Sequence, residues 1–157
     1  MKTIDIEVAI MQYYGIRQNI IIPNISWGMF FEKNYLHECD LLILSKSNYA
    51  TEVEIKISKY DLLKDKEKKH GHFHSHIKYL WFAVPEKLKD IALKEIPERA
   101  GLYILHEWED NRITVHIEKQ AKAQKDSIKW TDKQRLKLAE LGCMRILGLK
   151  KKVKSLK

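Results

Sequence analysis

Charges interrupt two short apolar runs near the middle of the chain, and this is the clearest feature of its hydropathy pattern. Residues 39–44 (CDLLIL) and 49–57 (YATEVEIKI) are apolar and rich in β-branched residues, and the turn-type cluster Ser45-Lys46-Ser47-Asn48 joins them. The pattern predicts an antiparallel hairpin. A turn centred near Ser47 sets Asp40 opposite Glu54, with Cβ atoms roughly 4.5–5.5 Å apart. The two-residue period of a strand sends Lys56 to the same face, and Glu52 shares it. Two acids and a lysine are therefore expected to converge within a buried strand pair.

Flanking segments supply the other elements. Residues 3–14 (TIDIEVAIMQYY), ended by Gly15, predict a helix on which Ile4, Val8 and Met11 form one apolar arc with Glu7 inside it. Residues 19–22 (NIII) predict a strand stopped by Pro23, and Ser26 to Lys33, with Trp27, Phe30 and Phe31, extend it or form a loop. Ser58, with Asp61 three residues on, caps a helix through about Lys69. Tyr79 to Val84 (YLWFAV) reads as a strand buried on both faces, and Pro85 stops it and starts a helix over 86–95. Gly101 to Leu105 and Ile113 to Ile117 are two further strands around Glu109-Asp110-Asn111. Thr131 to Gln134 is a capping box opening a helix to about Leu147, with Leu138, Leu141 and Ile146 on its apolar side. That helix docks on the sheet or on a partner chain, and a homodimer is compatible with it. The order predicts an α/β fold, a mixed sheet flanked by helices on both faces.

An acid pair beside a lysine suits metal-assisted phosphodiester hydrolysis. Mg²⁺ takes one or two protein carboxylates and fills its remaining positions with water and phosphate oxygens. It lowers the pKa of bound water and draws charge from the phosphoryl group, while a lysine offsets charge developing in the transition state. The alternative is a cross-strand ion pair, which needs no ligand.

Asp40 followed by Glu54-Ile55-Lys56 resembles the D…(D/E)-x-K signature of the PD-(D/E)XK nuclease superfamily, with Cys39 where the proline would stand. Beyond the motif, residues 56–65 (KISKYDLLKD), 79–85 (YLWFAVP) and 101–105 (GLYIL) look like the MmcB-like branch, associated with DNA repair and with small phage-borne proteins. The resemblance covers roughly residues 4–105. It implies a restriction endonuclease-like αβββαβ core over residues 1–118, with residues 119–157 as a helix and basic tail packed on or extending it. It implies a DNA endonuclease using Mg²⁺ or Mn²⁺, held by Asp40, Glu54 and the carbonyl of Ile55. Lys56 would position the attacking water, and Glu7 matches an additional acid that many members carry on the first helix. The runner-up is a non-catalytic DNA-binding module or interaction subunit that retains the fold.

Charge distribution bears on the partner. The formal net charge is +8, and Arg145, Lys150, Lys151, Lys152, Lys154 and Lys157 supply most of it without an acid among them. The rest of the chain is close to balanced, and the tail reads as a phosphate-neutralising segment or as a solvated terminus. Lys59, Lys64, Lys68 and Lys69 follow the motif strand and are expected to grip a DNA backbone. His70, His72, His74 and His76 alternate along one segment. Imidazoles so spaced can bind zinc, copper or nickel, yet no zinc-finger spacing accompanies them. A solvent-facing loop touching phosphate is the favoured reading, with His70 and His72 foremost because His70-Gly71-His72 resembles a stretch in the phage-borne relatives. Cys39 and Cys143 are expected as free thiols. No run long enough for a membrane span or signal peptide is evident, so a soluble, cytoplasmic protein is expected.

Overall fold

The computed structural model describes residues 1–25, 29–32, 34–65 and 71–156. The elements are α1 (Thr3–Tyr14), β1 (Ile20–Ile25), the short pair β2 (Phe30–Phe31) and β3 (Asn34–Tyr35), β4 (Cys39–Leu44), β5 (Ala50–Ile55), α2 (Lys59–Lys64), β6 (Ile77–Pro85), α3 (Lys89–Glu95), β7 (Gly101–Glu107), β8 (Ile113–Lys119) and α4 (Asp132–Ser155). Six strands form one sheet in the order β1-β4-β5-β6-β7-β8. β1, β4 and β5 run antiparallel in sequence, β5, β6 and β7 are mutually parallel, and β8 returns antiparallel. The fold is the expected α/β arrangement of a mixed sheet, flanking helices and an added C-terminal helix.

The hairpin forms as its turn chemistry dictates. The Tyr49 carbonyl accepts from Ser45 N, the Ser45 carbonyl from Asn48 N, and Asn48 takes the left-handed conformation that asparagine tolerates. Leu41 pairs with Val53, which makes Asp40 and Glu54 the next positions outward.

Each face of the sheet has its own core. On one, Ile6, Ala9 and Ile10 of α1 pack on Leu41, Ile43, Val53, Ile55, Trp81 and Tyr103. The other face is divided. Leu42, Leu44 and Ala50 cluster with Phe31, Trp130 and Leu138 of α4, while Leu80, Phe82 and Val84 cluster with Leu62 of α2 and Ala92 of α3. Two successive parallel crossovers in one direction place α2 and α3 on the same side, as the right-handed rule requires. Glu52 and Glu54 project from β5 between these two apolar clusters.

Several expectations change. α1 buries Ile6, Ala9 and Ile10, whereas Ile4 and Val8 are 54 % and 44 % exposed. This helix is apolar nearly all round, so periodicity alone does not select its inner face. β1 runs through Pro23, which pairs with Leu41; β1 is an edge strand, where proline is tolerated. α4 continues to Ser155, well beyond Leu147, because lysine and leucine are good helix formers. Its first half packs into the core with Leu138, whereas Ile146 is 57 % exposed. The Thr131–Gln134 capping box and the Ser58 cap, accepting from Asp61 N, form as expected. Trp27 and the far end of the helix expected through Lys69 lie outside the described residues.

Candidate active site

Glu54, at the end of β5, and Lys56, just beyond it, are held over the sheet by backbone pairing. Lys56 N donates to the Ala83 carbonyl of β6 at 3.1 Å, and Ile55 N donates to Asp40 Oδ2 at 2.8 Å. The Asp40 side chain thereby spans the hairpin and points toward Lys56. Lys56 Nζ lies 2.7 Å from Glu54 Oε2, 3.0 Å from Asp65 Oδ1 and 3.8 Å from Asp40 Oδ2. Three carboxylates thus surround one ammonium, at the carboxyl end of the parallel strands, where open α/β sheets usually bind ligands. Glu54 and Lys56 are buried, and the Asp40 side chain is 36 % exposed. Burial alone would lower the Lys56 pKa, but Glu54, then Asp40 and Asp65, raise it.

A second, contiguous arm lies deeper. His72 Nε2 is 2.6 Å from Asp65 Oδ2, and its Nδ1 is 2.7 Å from Glu52 Oε1. Glu52, fully buried, also meets His37 Nε2 at 2.9 Å. Burial alone would lower the His72 pKa, yet its bonds to Asp65 and Glu52 push it up to about 9. Burial opposes ionisation of Glu52, and the hydrogen bonds from His37 and His72 prevail, holding its carboxyl below the usual range. Arg99 Nη2 donates to the His72 carbonyl at 2.5 Å.

The structure brings Asp40, Glu54 and Lys56 together, and of Ile55 it is the amide N–H that meets Asp40. Glu7 lies on α1, the layer covering the opposite face; it is half-buried, burial raises its pKa, and it belongs to neither tight acid–histidine group. Lys59 and Lys64 are exposed on α2. Lys68, Lys69 and His70 lie outside the described residues.

His72 is corrected. It is not on a solvent-facing loop gripping phosphate but is 2 % exposed, with both ring nitrogens bonded to carboxylates. The positive φ angles of Gly71 and His72, 52° and 55°, turn the chain inward. His74 and His76 are buried too. Burial, then the neighbouring His76 and His37, pushes His74 down to about 4, and burial lowers His76, whose ring centroid lies 4.2 Å from that of Phe31 in a tilted pair. Alternation did put these rings on one side, but that side is the core.

Sequence reading missed Asp65, His37 and Arg99. Asp65 had a signal: it is the C-cap of α2, and an acid at the negative end of a helix is unfavourable unless a cation meets it. His37 and Arg99 reach the site only through the tertiary fold and leave no local signature.

No protein-family model matches the chain, and no curated protein matches it either. Among solved structures the chain is similar to the SPO1766 protein of unknown function from Silicibacter pomeroyi, with a TM-score of 0.65 at 16 % identity over 96 % of this chain and 92 % of that one. This likeness concerns the fold alone.

Proposed function

We propose that the protein is a metal-dependent nuclease that hydrolyses DNA phosphodiester bonds. The observation that carries the proposal is the meeting of Asp40, Glu54 and Lys56 at one point, with Lys56 Nζ 2.7 Å from Glu54 and 3.8 Å from Asp40. This matches the order and role of the motif the sequence resembles. The donor set fits Mg²⁺ or Mn²⁺ in kind: two carboxylates from neighbouring strands, one of them reaching solvent, are the hard oxygen ligands these ions take. Asp40 and Glu54, with the Ile55 carbonyl, would hold the ion. Bound there, it would supply an acidified water and draw off phosphoryl charge.

The chain's own groups do the rest. Lys56, kept protonated by its carboxylates, offsets the negative charge that grows on the phosphorane and orients the water. Asp65 and Glu54 hold the ammonium in place, and His72 in turn fixes Asp65. Lys59 and Lys64 face solvent on the helix that leaves the site and contribute backbone contacts that carry no sequence information.

One observation favours a second reading. Glu54 and Lys56 are only 1 % and 4 % exposed, which also suits a structural ion pair in a DNA-binding module that no longer cuts. Incubating single-stranded, duplex, nicked and branched DNA with the protein separates the two. The nuclease reading expects cleavage with Mg²⁺ or Mn²⁺ that stops in EDTA and in Asp40→Asn. Binding without cleavage of any form by the parent protein would select the second reading.

A further inference from the structure

Behind the Lys56 cluster lies a differently composed group of ligand atoms. We propose that His37, Glu52 and His72 form a transition-metal site of the zinc class, separate from the Asp40 and Glu54 carboxylates. Their donor atoms all lie within 4.8 Å of one another. The His37 Nε2 to Glu52 separation is 2.9 Å and the Glu52 to His72 Nδ1 separation is 2.7 Å. Donors on a tetrahedral zinc, at about 2.0–2.1 Å from the ion, are about 3.3 Å apart. An opening of about half an ångström would therefore turn the hydrogen-bonded trio into a coordination shell. Two imidazoles and one carboxylate are one of the ligand sets of catalytic zinc, which leaves a fourth position for water or substrate.

Two observations point to a ligand here. All three side chains are buried, with exposures of 8 %, 0 % and 2 % for His37, Glu52 and His72, so the group is held by the fold rather than gathered on a surface. Asp65 accepts from the remote nitrogen of His72 at 2.6 Å, the carboxylate–histidine support that fixes ring orientation and basicity at metal centres.

The neighbouring trio Glu54, Asp65 and His72 also has clustered donors, but Lys56 takes the cation position there, 2.7 Å and 3.0 Å from its two carboxylates. In the trio of His37, Glu52 and His72, Glu52 meets the two imidazoles, at 2.9 Å and 2.7 Å. A cavity of about 280 Å³ lined by Leu62, Asp65, Gly71, His72, Phe82 and Pro97 reaches His72 from the side of α2 and α3. The inference stands whether or not the chain cuts DNA.

The test uses the full chain, stripped with EDTA, dialysed, and titrated with Zn²⁺ alone and in parallel with Co²⁺ alone. One equivalent of zinc is expected, with cobalt d–d absorption typical of mixed nitrogen and oxygen ligands and a rise in melting temperature on zinc addition. His37→Gln, on the segment before β4, is expected to weaken zinc binding at least tenfold, abolish the thermal shift and keep the far-ultraviolet circular dichroism of the parent. Asp65→Asn is expected to weaken binding by about 10–100-fold through misorientation of His72. Asp40→Asn is expected to bind zinc as the parent does. The proposal is overturned if the parent takes up no zinc, if folded His37→Gln binds it equally well, or if Asp40→Asn abolishes uptake, which would assign the ion to the outer carboxylates.

Discussion

Lys56 is at once the cation of a buried network and the residue assigned to the reacting phosphate, and the two roles can be separated by substitution. Lys56→Ala leaves Glu54 and Asp65 buried around a lost charge, which should cost about 3–5 kcal/mol of stability. Its inactivity would then be ambiguous. Lys56→Arg keeps the charge but spreads it over a planar fork that does not reproduce a compact ammonium. We expect it to recover most of the stability in urea denaturation, to bind DNA nearly as the parent does, and to cleave about 100-fold more slowly or worse under single-turnover conditions. Parent-like cleavage by Lys56→Arg would remove the ammonium from the chemistry. His76 gives a pH dependence of a definite sign. Burial holds its folded pKa below the ordinary 6.5, so the unfolded chain takes up the proton first. Its contribution to stability is complete above about pH 6.5 and is lost as pH falls below that value. Urea midpoints followed from pH 7.5 down to 4.5 should decline, and His76→Gln should make that decline shallower; an unchanged slope would mean that other groups account for it.

Among the elements, those whose pattern and packing agree were readable in advance. The hairpin was legible to the residue because a two-residue period with charges on one face leaves a single register that buries the apolar set. The Asp40, Glu54 and Lys56 juxtaposition followed from it. The inner face of α1 was not legible, since Ile4, Val8 and Met11 form as good an arc as Ile6 and Ile10 and only contact with the sheet decides. The histidine segment misled because imidazole is equally at home against phosphate and among buried carboxylates. The basic tail is the clearest case of an element changing the meaning of its residues. As helix, α4 sends Lys150 and Lys154 to one side while Lys151 and Lys152 point elsewhere, so one duplex can meet only part of the charge. Deleting residues 150–157 should weaken binding of all DNA sequences alike and flatten the slope of log affinity against log salt by about 0.9 for each lost phosphate contact. The total should correspond to two or three contacts rather than to every lysine removed. Unchanged affinity and slope at low salt would leave α2 as the surface to examine.

For the whole molecule, the polar network lies on the boundary between two apolar clusters, so the candidate site and the join of the fold coincide. Changes there should be felt in both halves. The sheet's margins bear on whether a further strand can add to it. β1 and β8 are its two outermost strands, and an outermost strand is a template on which a foreign chain can add. Pro23 deprives β1 of one N–H, and Arg145 of α4 donates to the Asn24 carbonyl, occupying an acceptor that an added strand would seek. At the other margin β8 carries His116, Glu118 and Lys119, charged or polar groups of the kind that discourage pairing. Growth of the sheet by an added strand is thus opposed at both margins, by a missing donor on one and by polar and charged side chains on the other.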